Sequence, residues 1–231
     1  PGQARYRAGM SNEGPTSPTG GDPKGALRER MKGVLNALSA AHRQRESDAV
    51  TAHLLDFTRE RLPRRAGGGV MVFAPIRLDG RGPEIDISGA VSAWIAEGRA
   101  VGVPDVDWAS RTIRCVRVRD WERDLELTAR NAPLDVRTPR PGLEEIASED
   151  LGLVLVPGLA FDRWGGRLGR GAGFYDRFLA SLRAGRAAGM RAALMGVCFE
   201  EQWTQRVPTE PHDVRVDWVA TPRGIVDTAC S

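Results

Sequence analysis

A stretch rich in glycine and arginine has the composition of an anion-binding loop. From Gly165 to Gly173 the chain reads GGRLGRGAG, in which Arg167 and Arg170 stand among five glycines. Glycines let the backbone approach a phosphate closely, and guanidinium groups donate paired hydrogen bonds to phosphate oxygens. The stretch therefore predicts a site for a polyanion such as a nucleotide.

The residues on either side of this loop predict a strand before it and a helix after it. The apolar run LGLVLV, from Leu151 to Val156, is short and is closed by a proline and a glycine. Such a run is typical of a fully buried, parallel strand. From Phe174 onward, apolar residues recur four apart, as on one face of a helix. The N–H groups that open this helix would then point at the anion.

Neither of two common nucleotide-binding motifs fits the loop. Phe174 stands where the dinucleotide fingerprint has its last glycine, and the loop lacks the Lys-Ser/Thr pair of a Walker motif. A flexible, arginine-rich surface loop is the alternative that these residues leave open.

The strings VPGLAFD and GRLGRGAGFYDRFL resemble the signature of the 5-formyltetrahydrofolate cyclo-ligases, also called 5,10-methenyltetrahydrofolate synthetases. The resemblance extends from about Lys24 to Ile225. It implies conversion of 5-formyltetrahydrofolate to 5,10-methenyltetrahydrofolate, with release of ADP and phosphate and a phosphorylated formyl group as intermediate. It also implies ATP and Mg²⁺ as cofactors and a reduced folate as the substrate.

The resemblance implies that the nucleotide is bound by two segments. KGALR matches the family's N-terminal Lys-x-x-x-Arg, whose side chains, here Lys24 and Arg28, bind ATP. By charge alone, this pair favours a solvated basic face of a helix over a phosphate site. Lys24, Arg167 and Arg170 are the predicted catalytic cations. The loop and the start of its helix complete the nucleotide site with Arg167, Leu168, Gly169, Arg170, Gly171, Ala172, Gly173, Phe174 and Tyr175.

The resemblance also implies a folate site and a magnesium site. MVFAPI and PEIDI resemble a family strand and the segment whose glutamate, here Glu84, contacts the pterin. Asp176 and Asp213 are the implied Mg²⁺ ligands, and carboxylate oxygens suit that ion. Without the resemblance, Glu84 would be a solvated loop acid and Asp213 a turn residue. The remaining predicted folate contacts are Ala74, Arg170, Gly171, Ala172, Gly173 and Phe174.

Strands that alternate with helices predict an α/β fold of three layers, in which a mostly parallel sheet is flanked by helices. Ligands in such folds bind at the carboxyl ends of the strands. Ser39 is a predicted helix cap, and Pro104 is predicted to end a strand. Besides the helix that begins at Phe174, the predicted helices cover residues 24–38, 39–62, 87–98 and 200–205. The other predicted strands cover residues 70–74, 100–103, 112–118, 191–198 and 216–220, the last of these being the final strand, and residues 125–141 are predicted to be irregular.

A single domain is predicted over residues 24–231. Residues 1–23 are rich in Gly, Pro, Ser and Thr without apolar periodicity, so a disordered tail is expected there. His42 and His53 are interpreted as surface or packing residues, because neither has a partner of catalytic type nearby in the sequence.

The composition is that of an ordinary soluble protein. Of 231 residues, 41% are hydrophobic and 27% charged, with a net charge of only +3. Three cysteines, at positions 115, 198 and 230, lack CxxC spacing, which favours a reducing compartment and disfavours a structural zinc site. No apolar run approaches the roughly 18 residues of a membrane span. We therefore expect a cytoplasmic protein, with a monomer favoured and with neither a nucleic-acid nor a membrane partner.

Two other functions remain open at this point. One is a related protein of the same fold that binds a nucleotide and a different substrate. The other is a binding module for RNA that uses the arginines. Asp176 and Asp213 disfavour the RNA module, because carboxylates in a nucleic-acid groove repel phosphate.

Overall fold

The computed structural model describes residues 22–62, 68–76, 83–127, 136–184 and 192–229. The expected tail lies outside these ranges apart from Asp22 and Pro23, and so does Arg191, the predicted start of one strand. Eleven strands are described: β1 (Gly69–Met71), β2 (Val101–Asp107), β3 (Thr112–Val118), β4 (Leu125–Leu127), β5 (Arg137–Pro139), β6 (Leu151–Val156), β7 (Ala160–Phe161), β8 (Arg167–Leu168), β9 (Ala193–Val197), β10 (Trp218–Thr221) and β11 (Gly224–Asp227).

A seven-stranded sheet forms the middle layer, in the order β11-β10-β9-β6-β1-β2-β3. The five inner strands are parallel, while β3 and β11 pair antiparallel to their neighbours at the two edges. The apolar run that precedes the glycine loop is β6, and it lies at the centre of the sheet with parallel neighbours on both sides. The predicted fold class is confirmed.

Four α-helices cover the two faces of the sheet: α1 (Pro23–Asn36), α2 (Ala40–Arg61), α3 (Ser88–Ala96) and α4 (Phe174–Ala184). The first three pack in one apolar core, to which Met31, Leu54 and Trp94 contribute. The last packs in a second core through Phe178 and its apolar neighbours. The Ser39 side chain accepts a hydrogen bond from the His42 amide and so caps α2 as predicted. None of these helices is both long and apolar enough to span a membrane.

Pro104 lies inside β2, so the prediction that it ends the strand was wrong. Gly102 directs its carbonyl toward the β1 side, where it accepts from the amide of Val72, the residue that follows β1, at 2.8 Å. Alternate residues of a strand direct their backbone groups to the same side, so Pro104 also faces β1. Because β1 ends at Met71, no N–H is needed at that point, and proline is tolerated.

Three further predictions were wrong in their details. Residues 125–141, predicted to be irregular, include the antiparallel ribbon of β4 and β5. The glycine loop was predicted to begin at Gly165, yet Arg167 and Leu168 form β8 and pair antiparallel with β7. Strand β10 is not the last, because β11 follows it after a turn of Pro222 and Arg223. In each case a strand of only two to four residues offers too little sequence for alternation to be detected.

The ribbon of β7 and β8 is fixed to the sheet by the ring of Phe161. This side chain is fully buried. A Cβ atom on Gly158 would stand 2.7 Å from the ring, and one on Gly196 of β9 would stand 2.4 Å from it. Real Cβ atoms do not approach other atoms so closely, so the ring occupies the space that both glycines leave.

The turn between β7 and β8 is held by the carboxylate of Asp162, which is buried. One oxygen accepts hydrogen bonds from the amides of Trp164 and Gly166, both at 2.9 Å. The other accepts from the amide of Val207 at 2.8 Å. A buried carboxylate is stable in such a place when several N–H groups satisfy its oxygens. Asp162 thereby sets the position at which β8 enters the glycine loop.

We predict that Asp162→Asn lowers the free energy of unfolding by about 2–4 kcal/mol. The amide NH₂ would face backbone N–H donors, and at least one of them would lose its acceptor. Urea unfolding followed by circular dichroism measures the effect. Asp227→Asn is the matched control, because its carboxylate is only partly buried and, among the described residues, accepts from one amide, that of Ala229. A loss no larger than that of the control would contradict this role for Asp162.

Candidate functional site

A polar pocket of about 310 Å³ lies between the start of α1 and the glycine loop. It combines basic side chains with acidic ones and with glycine backbone. Both carboxylates predicted to bind magnesium are present in it. Its lining consists of Asp22, Lys24, Arg28, Arg167, Leu168, Gly169, Gly171, Gly173, Asp176, Glu210, His212 and Asp213.

Lys24 contacts two acidic residues at one end of this pocket. Its ammonium donates to Asp213 Oδ2 at 2.7 Å and lies 3.3 Å from Glu210 Oε1. Burial works against the charge of Lys24, but the bonds to Asp213 and Glu210 outweigh it and raise the pKa of the lysine. Burial likewise works against the charge of Asp213, yet the bond from Lys24 prevails and lowers the pKa of the acid. Both groups are therefore charged at neutral pH.

Arg28 connects α1 to the glycine loop by donating from Nε to the Gly169 carbonyl at 3.0 Å. Gly171 and Gly173 have positive φ angles, 103° and 72°. Residues with side chains rarely adopt these angles, so glycine is required for the path of the loop. Lys24 and Arg28, predicted as a pair, do share this pocket.

Arg167 is the most enclosed cation of the site, with only 5% of its side chain exposed. It forms an ion pair with Asp176 in the first turn of α4 and donates to the Pro157 carbonyl at 3.3 Å. Its Nε is shielded from solvent and has no hydrogen-bond partner among the described residues. A buried donor of this kind is able to serve an anionic ligand without first losing a partner.

A second pocket, apolar and of about 230 Å³, lies on the other side of the glycine loop. The carboxyl ends of β1, β2 and β6 contribute to it, as expected for a parallel sheet. Trp108, in the turn after β2, packs edge-to-face on Phe174 with 4.8 Å between ring centroids. The lining comprises Phe73, Ala74, Ile76, Glu84, Pro104, Val106, Trp108, Ile113, Val136, Pro157, Gly158, Arg167, Gly169, Arg170, Gly171, Ala172, Gly173, Phe174, Tyr175 and Asp176.

Glu84 is a nearly buried carboxylate in the wall of the apolar pocket, with 7% of its side chain exposed. One oxygen accepts from Arg170 Nε at 3.2 Å and from the same guanidinium's terminal nitrogen at 3.1 Å, while the other accepts from the Ile76 amide at 2.9 Å. Burial raises the pKa of Glu84, although the charge of Arg170 and the Ile76 amide offset part of that rise.

The glycine loop is the common wall of the two pockets. Arg167, Gly169, Gly171, Gly173 and Asp176 line both of them. A ligand in the polar pocket and one in the apolar pocket would therefore contact opposite sides of the same backbone. This arrangement suits a reaction in which a group passes between two bound molecules.

The model of the 5-formyltetrahydrofolate cyclo-ligase family matches residues 21–222. This chain belongs to that family. The resemblance seen in the sequence is thus confirmed, and the chain is assigned as a ligase-family enzyme.

Named cyclo-ligases and solved structures agree with the family match. The 5-formyltetrahydrofolate cyclo-ligase of Mus musculus is 27% identical over 199 residues, which cover 85% of this chain and 92% of the mouse protein. That of Mycolicibacterium smegmatis is 44% identical over 89 residues, covering 38% of this chain and 43% of its own. The structure of Aquifex aeolicus 5,10-methenyltetrahydrofolate synthetase superposes with a TM-score of 0.67 at 26% identity, covering 89% of this chain and 92% of its own.

For this member of the cyclo-ligase family, the residues predicted as one nucleotide site divide between the two pockets. Lys24, Arg28 and Leu168 line the polar pocket only. Arg170, Ala172, Phe174 and Tyr175 line the apolar pocket only. The hydroxyl of Tyr175 is buried without a hydrogen-bond partner among the described residues, and burial raises its pKa.

The predicted folate contacts and metal ligands also fall within the two pockets. Ala74 and Glu84 line the apolar pocket, although they belong to a loop between β1 and α3. Asp176 and Asp213 both line the polar pocket, where each is paired with a different cation.

Two residues of the candidate site were not identified from the sequence. Trp108 is the more evident of the two, since it is half exposed and stands against Phe174. Its position between two strands indicates a loop, but nothing in the local sequence indicates that its side chain lines a ligand pocket. The role of Glu210 could not be predicted from the sequence either, because its contact with Lys24 joins positions far apart in the chain.

Proposed function

We propose that this chain converts 5-formyltetrahydrofolate to 5,10-methenyltetrahydrofolate with consumption of ATP and release of ADP and phosphate. The observation that carries the proposal is the pair of pockets, one polar and basic, one apolar and aromatic, which meet at a single glycine loop. Family membership supplies the reaction class. The geometry then suggests which ligand belongs to which pocket.

The apolar pocket has the character needed for the folate. Trp108 and Phe174 offer flat aromatic surface for a pterin or benzoyl ring. Glu84 offers a carboxylate in an otherwise apolar wall, where it can accept hydrogen bonds from the amide and amino edge of the pterin. Because the carboxylate is held by the Ile76 amide at 2.9 Å, its position is fixed before the ligand arrives.

The polar pocket has the donors that a triphosphate needs. Lys24, Arg28 and Arg167 provide positive charge, and the positive-φ glycines expose backbone to phosphate oxygens. When bound, ATP supplies the phosphoryl group that makes the formyl oxygen able to leave as nitrogen 10 closes the ring. The role of the basic residues is to hold the phosphates and to stabilise the charge that develops during transfer.

Arg167 and Arg170 stand where the two ligands would meet. Arg167 is part of the wall that both pockets share, and Arg170 lies against Glu84 on the apolar side. Guanidinium groups in these positions can orient the formyl oxygen toward the phosphate and exclude water from between them. No residue has to act as a covalent nucleophile in such a scheme.

A magnesium ion fits the donor set of the polar pocket. Asp176 and Asp213 are two hard carboxylate ligands, and Mg²⁺ in proteins commonly uses one or two carboxylates together with phosphate oxygens. Each acid is paired with a cation, Asp176 with Arg167 and Asp213 with Lys24. An ion bound with the triphosphate would share these carboxylates with their basic partners and would offset phosphate charge.

The function is tested by absorbance at the band of the methenyl product. The chain is mixed with 5-formyltetrahydrofolate, ATP and Mg²⁺, and we expect the band to grow only when all are present. Product without ATP, or ATP hydrolysis with no methenyl product, would refute the proposal. The second result would favour a related nucleotide-binding enzyme with another substrate.

We predict that Glu84→Gln raises KM for the folate roughly 10- to 100-fold while KM for ATP changes little. Glutamine can accept through one oxygen only, so it cannot serve both the Ile76 amide and the pterin edge. Steady-state kinetics with each substrate varied in turn measures the two effects.

Glu97→Gln is the control for this change, because Glu97 is also a largely buried glutamate that contacts an arginine, Arg59, at 3.1 Å, and it lines neither pocket. It should leave both constants unaltered. Equal damage to folate and ATP use in the Glu84 variant would mean that Glu84 only shapes the loop.

We predict that Asp176 and Asp213 act as one magnesium unit. Each change to Asn removes a charge and keeps the size, so each should raise the Mg²⁺ concentration needed for half-maximal activity. Residues that act together give non-additive losses. The loss of transition-state stabilisation in the double variant, calculated from activity, should therefore be much smaller than the sum of the two single losses.

Activity measured against Mg²⁺ concentration in the three variants tests this prediction. The ion pairs provide the opposing hypothesis, since Asp176 contacts Arg167 and Asp213 contacts Lys24. If each acid served only its own cation, the losses would be additive and the magnesium midpoint would not move.

A further inference from the structure

One histidine and two glutamates converge at a place that belongs to neither pocket. His42 and Glu46 lie one turn apart near the start of α2, and Glu201 lies in the short 3-10 helix, Glu200–Gln202, that follows β9. His42 Nε2 is 3.2 Å from Glu46 Oε1 and 3.0 Å from Glu201 Oε1. One potential ligand atom from each residue lies within 4.8 Å of the other two.

Neither of these short distances is a hydrogen bond. His42 Nε2 and Glu201 Oε2 are both shielded from solvent, and among the described residues neither has a hydrogen-bond partner. The in-plane direction of the ring nitrogen therefore points at neither of the carboxylate oxygens beside it. A single N–H cannot serve two carboxylates at once, whereas an ion between the three groups can.

We propose that His42, Glu46 and Glu201 bind one divalent transition-metal ion of the Zn²⁺ type. Zinc lies about 2.0–2.2 Å from nitrogen and carboxylate ligands, so two ligands of a tetrahedral site are about 3.3 Å apart. The observed 3.0 and 3.2 Å are close to that spacing. An imidazole beside two carboxylates selects zinc and its neighbours over Mg²⁺ and Ca²⁺, which prefer oxygen ligands alone.

The surroundings of the cluster hold the ligands in place without neutralising them. The second oxygen of Glu46 accepts from the Glu200 amide at 3.0 Å, which orients its carboxylate. Arg223 pairs with Glu200, which precedes Glu201 in the chain. Among the described residues, neither Glu46 nor Glu201 forms an ion pair with a lysine or an arginine; their close contacts are with His42. The charge of the two carboxylates is thus available to a cation.

The site joins the first turns of α2 to the segment that follows β9, and these are far apart in sequence. An ion that binds the folded chain and not the unfolded one stabilises the fold. It uses no cysteine, so the absence of CxxC spacing does not argue against it. The proposal gives His42 the role of a metal ligand, in place of the surface or packing role expected from the sequence. The proposal does not depend on the reaction proposed above.

The test starts from the full chain after treatment with a chelator. This chain is titrated with Zn²⁺ in the presence of excess Mg²⁺, and calorimetry measures the heat of binding and the unfolding temperature. We expect one zinc site per chain and a rise in the unfolding temperature with zinc. His42→Ala should weaken this binding roughly 100-fold or more, because it removes a direct ligand. Glu201→Gln keeps the size of the side chain and should weaken it about tenfold or more, so a failure of His42→Ala to fold does not prevent the test.

Two other histidines provide the controls. His53 lies on the same helix, bonded to the Pro222 carbonyl at 3.3 Å, and His53→Ala should bind zinc as the original chain does. His212 lies in the polar pocket, 3.2 Å from Glu210, and is the competing place for zinc. Absence of zinc binding, or binding that is lost in His212→Ala and kept in Glu201→Gln, would overturn the proposal.

Discussion

The ion pair between Arg167 and Asp176 is the contact on which the geometry of the site depends. It connects the last strand before the glycine loop to the first turn of the helix after it, so the loop is closed at its base. Because Arg167 is almost fully enclosed, its charge is costly to bury without that partner. The pair therefore fixes the span that Gly169 to Gly173 must cross. With that span fixed, the loop can serve as a wall for two pockets at once.

The middle of the fold could be predicted from the sequence because its signals are local. The apolar run of β6 ends at a proline, and α4 begins at Phe174, as the patterns indicated. The alternation in β3 gave that edge strand with its observed ends. Pro104 was misread because proline is disfavoured only where its nitrogen faces a partner strand, and the sequence does not show where β1 stops. The ribbon of β7 and β8 is too short to show any period.

The candidate site was predictable in its members but not in its contacts. Spacing brought Lys24 and Arg28 to one helix face, and the resemblance pointed to Glu84 and Asp213. Which acid meets which base is decided by the packing of α1 and of the loop after β9 against the sheet. Lys24 and Asp213 are 189 positions apart, and no local pattern connects them. The same holds for Trp108, whose place over Phe174 follows from the length of the β2–β3 hairpin.

The packing of Phe161 between Gly158 and Gly196 limits how this part of the chain can evolve. A methyl group at either glycine would strike the ring, while a smaller residue at 161 would leave a void beside two glycines that cannot fill it. Each single step is therefore unfavourable, although a joint exchange that kept the total volume would be tolerated. The three positions should vary together among homologues, and an alignment would show them as a correlated set, although Gly158 is the one member of the three that lines either pocket.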